Sequence, residues 1–425
     1  MTERLAPWYA LTILPLVALL SLVTTTTQAD GSHGLYPRFL WIAAVVVIAG
    51  AVVVLPTTAV RERRPALWLA LGSFTALLGY AFVRSLGVSR VMSVPATAAQ
   101  DVVVPWPYIG VPLLEAFLAM AAGVLLAVAV PRAWSRRHAY ALALLIALLS
   151  LVGFVRAQLD ADPSARLFSG LGGAAVIHVP LLLVTATFLG LAWERVRTTL
   201  SLALALLSAG LVVATGSRAG LICLVVLVGL LATRYFPARG AAPAVSRRLM
   251  GIAVAAVAAI GVVLALVLRN QMLRLVTLSD PLREQNAVTA LDAATSSPLH
   301  LLLGVGQGGL WPWFATEAGL LPVGKDGFLA TSYGLALTNP HSLYLGTLAE
   351  LGVVGCLLLL GLVGVVVRSA VTAHPANPLR LCLLTALGVS LLAFGLDYYL
   401  LKSFPLALLW WFFLTYALRV SPPRQ

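Results

Sequence analysis

Apolar runs of about 20 residues, the length a helix needs to cross the hydrocarbon core of a bilayer, recur along the whole chain and leave it few ways to fold. "WYALTILPLVALLSLVTT" (8–25) and "LYLGTLAELGVVGCLLLLGLVGVVV" (343–367) are two of them. Hydrophobic residues make up 60% of the 425 and charged residues 10%, whereas a soluble domain carries about a quarter charged. The fold class is therefore an all-α polytopic membrane protein. About twelve spans are expected, over 8–25, 39–59, 66–84, 108–131, 139–156, 171–193, 199–216, 219–236, 249–268, 341–367, 381–396 and 399–418. Residues 8–24 also have signal-peptide dimensions, but an uncleaved first span keeps the charge pattern consistent. Cys223, Cys356 and Cys382 all stand in apolar runs and read as small hydrophobes, not disulfides or metal ligands.

A net charge of +13 would suggest nucleic acid in a soluble protein, but here the distribution orients the chain, and no nucleic-acid partner is expected. With the N-terminus inside, the inner segments hold 17 of the 28 Lys and Arg and only Glu3, Glu62 and Glu194 among the acids. The expected topology is N-in and C-in. Three regions follow: helices 1–9 over 1–268, an outer loop over 269–340, and helices 10–12 with an inner tail over 341–425. The loop holds "DPLREQNAVTALDAATS", in which Leu282, Val288 and Leu291 recur at helical spacing, so short amphipathic helices near the membrane surface are expected.

Candidate chemistry gathers on the outer face. Arg218, in "GSRAG", starts span eight with no acid in its turn. A snorkelling arginine is the ordinary reading. A planar guanidinium beside the free N–H groups of a helix N-terminus is also an anion site, suited to phosphate. Arg274 and Arg283 add cations in the outer loop. In "LTNPHSLYLG", Asn339 and Pro340 read as a helix start, which puts His341 in the first turn of span ten. There the helix dipole favours a neutral imidazole, the form that accepts a proton. Tyr344 shares its face; Glu350 lies on the opposite side, about 13 Å deeper, and reads first as a structural group. "LLGVGQGG" (302–309) lacks the pattern of a nucleotide P-loop and reads as a tight turn, and "WPWF" (311–314) as part of the aromatic interface belt. Arg84 and Arg90 extend a basic rim, and Asp397 and Lys402 are placed to pair. No HExxH, CxxC or GxSxG occurs, so neither a metal centre nor a serine hydrolase is expected.

In order along 211–367, "TGSRAGL", a long outer loop carrying Arg283, "LLGVGQGG" and "HSLYLGTLAELGVVG" resemble the O-antigen ligase and polymerase superfamily. The family more often has His-Asn where this chain has His341-Ser342. The resemblance implies a GT-C-like glycosyltransferase of the bacterial inner membrane that works at the periplasmic face without nucleotide, metal or other cofactor. Its donor would be a glycan on undecaprenyl pyrophosphate and its acceptor lipid A–core, among membrane lipids. By the same resemblance, Arg218 and Arg283 hold the pyrophosphate and His341 activates the acceptor. The reading of the residues adds Arg274 as a further pyrophosphate-binding cation, with Tyr344, Glu350, Arg84 and Arg90 as candidates for support. A polymerase joining polyprenyl-linked repeat units is the alternative. A transporter is the alternative from another class, with Glu115, His178 and Glu350 as its polar groups at depth. The sequence places no carboxylate as a nucleophile, which favours direct displacement with inversion.

Overall fold

The computed structural model describes residues 2–30, 36–54, 65–86, 90–93, 101–159, 171, 173–235, 280–317, 320 and 328–420. The expected span at 249–268 and Arg274 lie outside the described residues. The helices in chain order are α1 Thr2–Leu11, α2 Ile13–Asp30, α3 Tyr36–Val54, α4 Pro65–Ser85, α5 Pro107–Ala129, α6 Ser135–Leu159, α7 Ala174–Trp193, α8 Thr198–Ala214 and α9 Arg218–Tyr235. Then follow α10 Pro281–Thr295, α11 Pro298–Leu303, α12 Trp313–Glu317, α13 Leu343–Val371, α14 Pro378–Ala393, α15 Tyr399–Lys402 and α16 Phe404–Arg419. Among the described residues six helices are long and apolar enough to cross a membrane: Arg4–Leu22, Pro65–Ser85, Pro107–Ala129, Arg132–Leu159, Val176–Trp193 and Leu343–Val371. Trp41–Val54, Thr198–Ala214, Pro378–Ala393 and Phe404–Arg419 are shorter apolar helices.

The bundle is built around α16, buried on every side from Phe404 to Leu418. A helix apolar all round has no solvent face to offer, so its place is the core. It packs along α5, while α7 packs between α8 and α14. Thr185 of α7 donates to Ser208 of α8 at 3.0 Å, the kind of interhelical hydroxyl contact that apolar surroundings favour.

The structure is consistent with the all-α expectation and adds one small sheet to it. Strands β1 Arg90–Ser93, β2 Asp101–Val104, β3 Phe328–Thr331 and β4 Gly334–Leu337 form an antiparallel sheet in the order β2-β1-β3-β4. Its outer pairs are hairpins, with Arg90 opposite Val104 and Phe328 opposite Leu337. Ser93 pairs with Ala330, joining the segment between α4 and α5 to the one before α13. Two expectations change. The last span is two helices, α15 and α16, and the aromatic "WPWF" is interior, since Trp311, Trp313 and Phe314 are all buried.

The glycine-rich segment after α11 interlocks with α13. At Gly352 (φ 66°) α13 kinks, and a break in the i→i−4 ladder leaves carbonyls needing outside donors. The segment supplies them: Val305 N–H donates to the Ala349 carbonyl and Gly306 N–H to that of Glu350, both at 2.9 Å. The Glu350 carboxylate returns the contact by accepting the N–H groups of Leu310 (3.2 Å) and Trp311 (3.1 Å). Tyr80 and Arg84 of α4 tie the same segment down through the carbonyls of Leu303 and Gly304. A Cβ at Gly352 would stand 2.5 Å from the Leu302 carbonyl, and one at Gly304 (φ 72°) 2.2 Å from that of Glu350. Gly352→Ala and Gly304→Ala should each lose at least about 1–3 kcal/mol from backbone strain alone, read as a lowered unfolding temperature in detergent. Gly72→Ala on α4, where a Cβ meets nothing within 4 Å, should hold that temperature or raise it.

Candidate active site

Arg218, Arg283 and His341, far apart in sequence, line one open pocket of about 410 Å³. Each arrives at the N-terminal end of a helix. Arg218 is the first residue of α9, whose Gly220 N–H donates to the Ser217 hydroxyl at 3.2 Å. Arg283 stands in the first turn of α10, capped by the Asp280 carboxylate. His341 directly precedes Ser342, whose hydroxyl accepts the Leu345 N–H at 3.2 Å and caps α13. All three capping residues line the pocket, so three positive dipole ends meet there, each worth about 0.3–1 kcal/mol to a nearby anion and more when partly buried.

The position of His341 corrects the reading of "TNPHS" as a helix start. The N-cap is Ser342, and His341 stands before it with left-handed backbone (φ 50°). Asn339 does not cap the helix. Its side-chain oxygen accepts the His341 N–H at 3.1 Å, and the chain turns there before α13 begins. The departure from His-Asn has a physical account here, because Ser and Asn serve about equally at an N-cap.

The imidazole is half-buried and its Nδ1 has no hydrogen-bond partner among the described residues. Burial is the main cause that pushes its pKa down, to about 4; Asp397 and Asp280 oppose the shift, while Arg283 and Lys402 add to it. The free imidazole is therefore neutral at ordinary pH. Arg283 is fixed from two sides, with Nε 3.3 Å from Asp280 and Nη1 donating to the Leu396 carbonyl at 3.3 Å. Leu343 N–H donates to the Phe394 carbonyl at 2.8 Å, so the turn after α14 braces both Arg283 and the start of α13.

Asp280, Glu284 and Tyr399 also line the pocket, and the sequence reading missed all three. The run Ser-Asp-Pro carried a signal for Asp280, as a capping acid before proline at a helix start. Nothing local marked Glu284 or Tyr399. Of the residues expected in support, Tyr344, Arg84 and Glu350 have side chains engaged elsewhere. The Tyr344 hydroxyl donates to the Leu391 carbonyl at 2.8 Å, and Arg84 and Glu350 hold the glycine-rich segment. Arg90 begins β1. Asp397 accepts the Tyr398 N–H, and Lys402 Nζ sits 5.9 Å from the centre of the Trp313 ring. The α10 helix forms as expected, yet its packed face carries Asn286, Thr289, Ala290, Ala293 and Ala294. Leu282, Val288 and Leu291 are exposed. Among the described residues no group of His, Cys, Asp and Glu is arranged to hold a metal ion.

The fold and the pocket define a multi-pass helical membrane protein with an anion-suited site where several helices start. The family model described as O-antigen ligase matches residues 203–360, from α8 into α13, and that stretch includes Arg218, Arg283 and His341. The match spans 158 of the 425 residues and supports membership of the O-antigen ligase superfamily, enzymes of ligase or polymerase type. No curated protein matches the chain.

The depressed His341 pKa gives a direct test. In ¹⁵N-histidine NMR of the protein in nanodiscs, the signal lost in His341→Ala should titrate near pH 4. By linkage, the unfolded chain takes this proton first as pH falls. Stability due to His341 is therefore full above about 6.5 and is lost as pH drops toward 4. A midpoint near 6.5 would mean that the ring is not buried as described.

Proposed function

We propose that the chain is an O-antigen ligase, moving a glycan from undecaprenyl pyrophosphate to lipid A–core at the periplasmic face of the inner membrane. The proposed topology is twelve spans, N-in and C-in, with 269–340 as the periplasmic loop. The observation that carries the reading is that Arg218, Arg283 and His341 line one pocket with three helix N-termini. Glycosyl transfer from a pyrophosphate makes two demands: the acceptor hydroxyl loses a proton, and the departing pyrophosphate gains charge. A neutral His341 meets the first, and the two guanidiniums with the helix ends meet the second.

In the proposed step the acceptor oxygen forms a bond to the anomeric carbon while the bond from that carbon to the pyrophosphate oxygen breaks. The carrier leaves with that electron pair, and the hydroxyl proton goes to His341. A base with a pKa near 4 is weak, but a bound pyrophosphate is a multiply charged anion beside it. Opposite charge favours the imidazolium, so donor binding raises the basicity of His341 when it is needed. Asp280 and Glu284 add acceptors suited to sugar hydroxyls. Asp280 already caps α10 and pairs with Arg283, which leaves it poorly placed as a nucleophile and favours direct displacement with inversion. Arg274 remains proposed as a third cation on this face.

The test uses purified protein, an undecaprenyl-pyrophosphate glycan and lipid A–core. Glycan should reach lipid A–core with EDTA present, and His341→Ala should lose about 10²–10⁴-fold in kcat. Arg218→Ala or Arg283→Ala should each cost about 10²–10³-fold, with Lys restoring only part because it lacks the planar fork. Longer chains left on the carrier, with nothing on lipid A–core, would make the enzyme a polymerase. Lipid or solute movement that survives His341→Ala would make it a transporter. In pH profiles, the acid limb of kcat/KM reports the free enzyme and that of kcat the complex. The first should fall near pH 4 and the second at higher pH; coincident limbs would remove the proposed effect of the donor on His341.

A further inference from the structure

We propose that Asn286 is a positioning residue for His341, anchoring the backbone just ahead of the histidine to the helix that carries Arg283. The inference rests on the reading of His341 as the base. Asn286 is buried (2% exposed) on α10, three residues beyond Arg283. Its Nδ2 donates to the carbonyls of Asn339 (3.3 Å) and Pro340 (3.1 Å). Its Oδ1 accepts the Trp311 indole N–H (3.0 Å) and the Leu337 N–H (2.9 Å). With carbonyls on one side and N–H donors on the other, only one orientation of the amide fits, and all four of its hydrogen-bonding positions are filled.

Three of those four bonds hold residues 337–340, the stretch leading into His341. The histidine needs them, because a left-handed backbone on a non-glycine residue persists only where its surroundings over-determine it. Asn286 thereby sets the base and Arg283 in register, two groups that the proposed reaction requires on either side of one anomeric centre. The charged groups that bear on the imidazole are Asp280, which caps α10, Arg283 of α10, and Asp397 and Lys402 beyond α14, while Arg218 and Glu284 line the same pocket. None of them is altered by changing Asn286.

The experiment compares full-length wild type, Asn286→Ala, Asn286→Asp, Asn286→Ser and Trp311→Phe in nanodiscs. It reads the His341 NMR titration and steady-state transfer side by side. Asn286→Asp is the sharpest variant, because it keeps both accepting bonds and turns a carboxylate toward the two carbonyls. In Asn286→Ala, which adds no charge, the His341 midpoint should rise from about 4 toward the ordinary value of about 6.5 as the ring loosens into water. In Asn286→Asp it should rise too, with the new carboxylate contributing, so there kcat is the deciding readout. Their kcat should fall about 10–100-fold, the scale of a misplacement near 1 Å, with donor KM nearly unchanged because the arginines stay. Asn286→Ser, with one donor and one acceptor, should fall between. Trp311→Phe, which cuts only the bond leading away from the histidine, should leave the midpoint in place. A folded Asn286→Asp with a wild-type midpoint and kcat overturns the proposal. So does failure of all three Asn286 variants to fold, which would make the residue a structural support. The titration needs no turnover, so a shifted midpoint in a protein whose His341→Ala form is fully active would overturn the base assignment and leave the positioning intact.

Discussion

A carboxylate placed among apolar helices is expensive unless it is fully used, and much of the pocket end of this molecule depends on how Glu350 is used. Its side chain accepts two consecutive N–H groups from the chain leaving the glycine-rich segment, and its own carbonyl, freed by the kink at Gly352, accepts a third from within it. Segment and helix thus satisfy each other where neither has water to turn to. Trp311, held by its backbone N–H to Glu350, offers its indole to Asn286, which holds the carbonyls ahead of His341. An unbroken series of hydrogen bonds therefore runs from the kinked span to the pocket, so the histidine is fixed by the interior.

The pocket's electrostatics are more balanced than a cluster of arginines suggests. Its lining side chains carry two guanidiniums and two carboxylates, and the excess positive character comes from the helix ends. Such a site favours an anion without being a bare cation cluster. A sugar pyrophosphate, charged at one part and rich in hydroxyls at another, matches that mixture better than inorganic phosphate does.

Arg218, Arg283 and His341, which the sequence singled out and the structure brings to one pocket, stood out by position. Each is a polar residue at the edge of an apolar run or in the one long polar segment, where composition alone sets it apart. The helical body was legible for the same reason, since apolar length leaves no other fold. The sheet was not: β1 and β3 are four-residue strands more than 200 positions apart, and nothing local to either announces the other. Nor was the face of α10. The apolar residues noted at helical spacing, Leu282, Val288 and Leu291, are exposed, and the face packed near Trp311 and Ala336 carries alanines and Asn286, which nothing in that spacing marked. Asn286 itself looked like any helix asparagine, since its importance lies wholly in partners from 337–340 and 311.

The kink at Gly352 also separates what the bilayer acts on from what the pocket requires. A span meets a membrane thicker or thinner than itself chiefly by tilting. The portion of α13 beyond the kink lies against α4, with Gly361 abutting Ser73. The portion before it is a short stub held by the glycine-rich segment and by the turn after α14. His341 stands at the head of that stub, on the far side of the hinge. What fixes the pocket's side of the kink is therefore that segment and that turn, and not the longer helical portion beyond it.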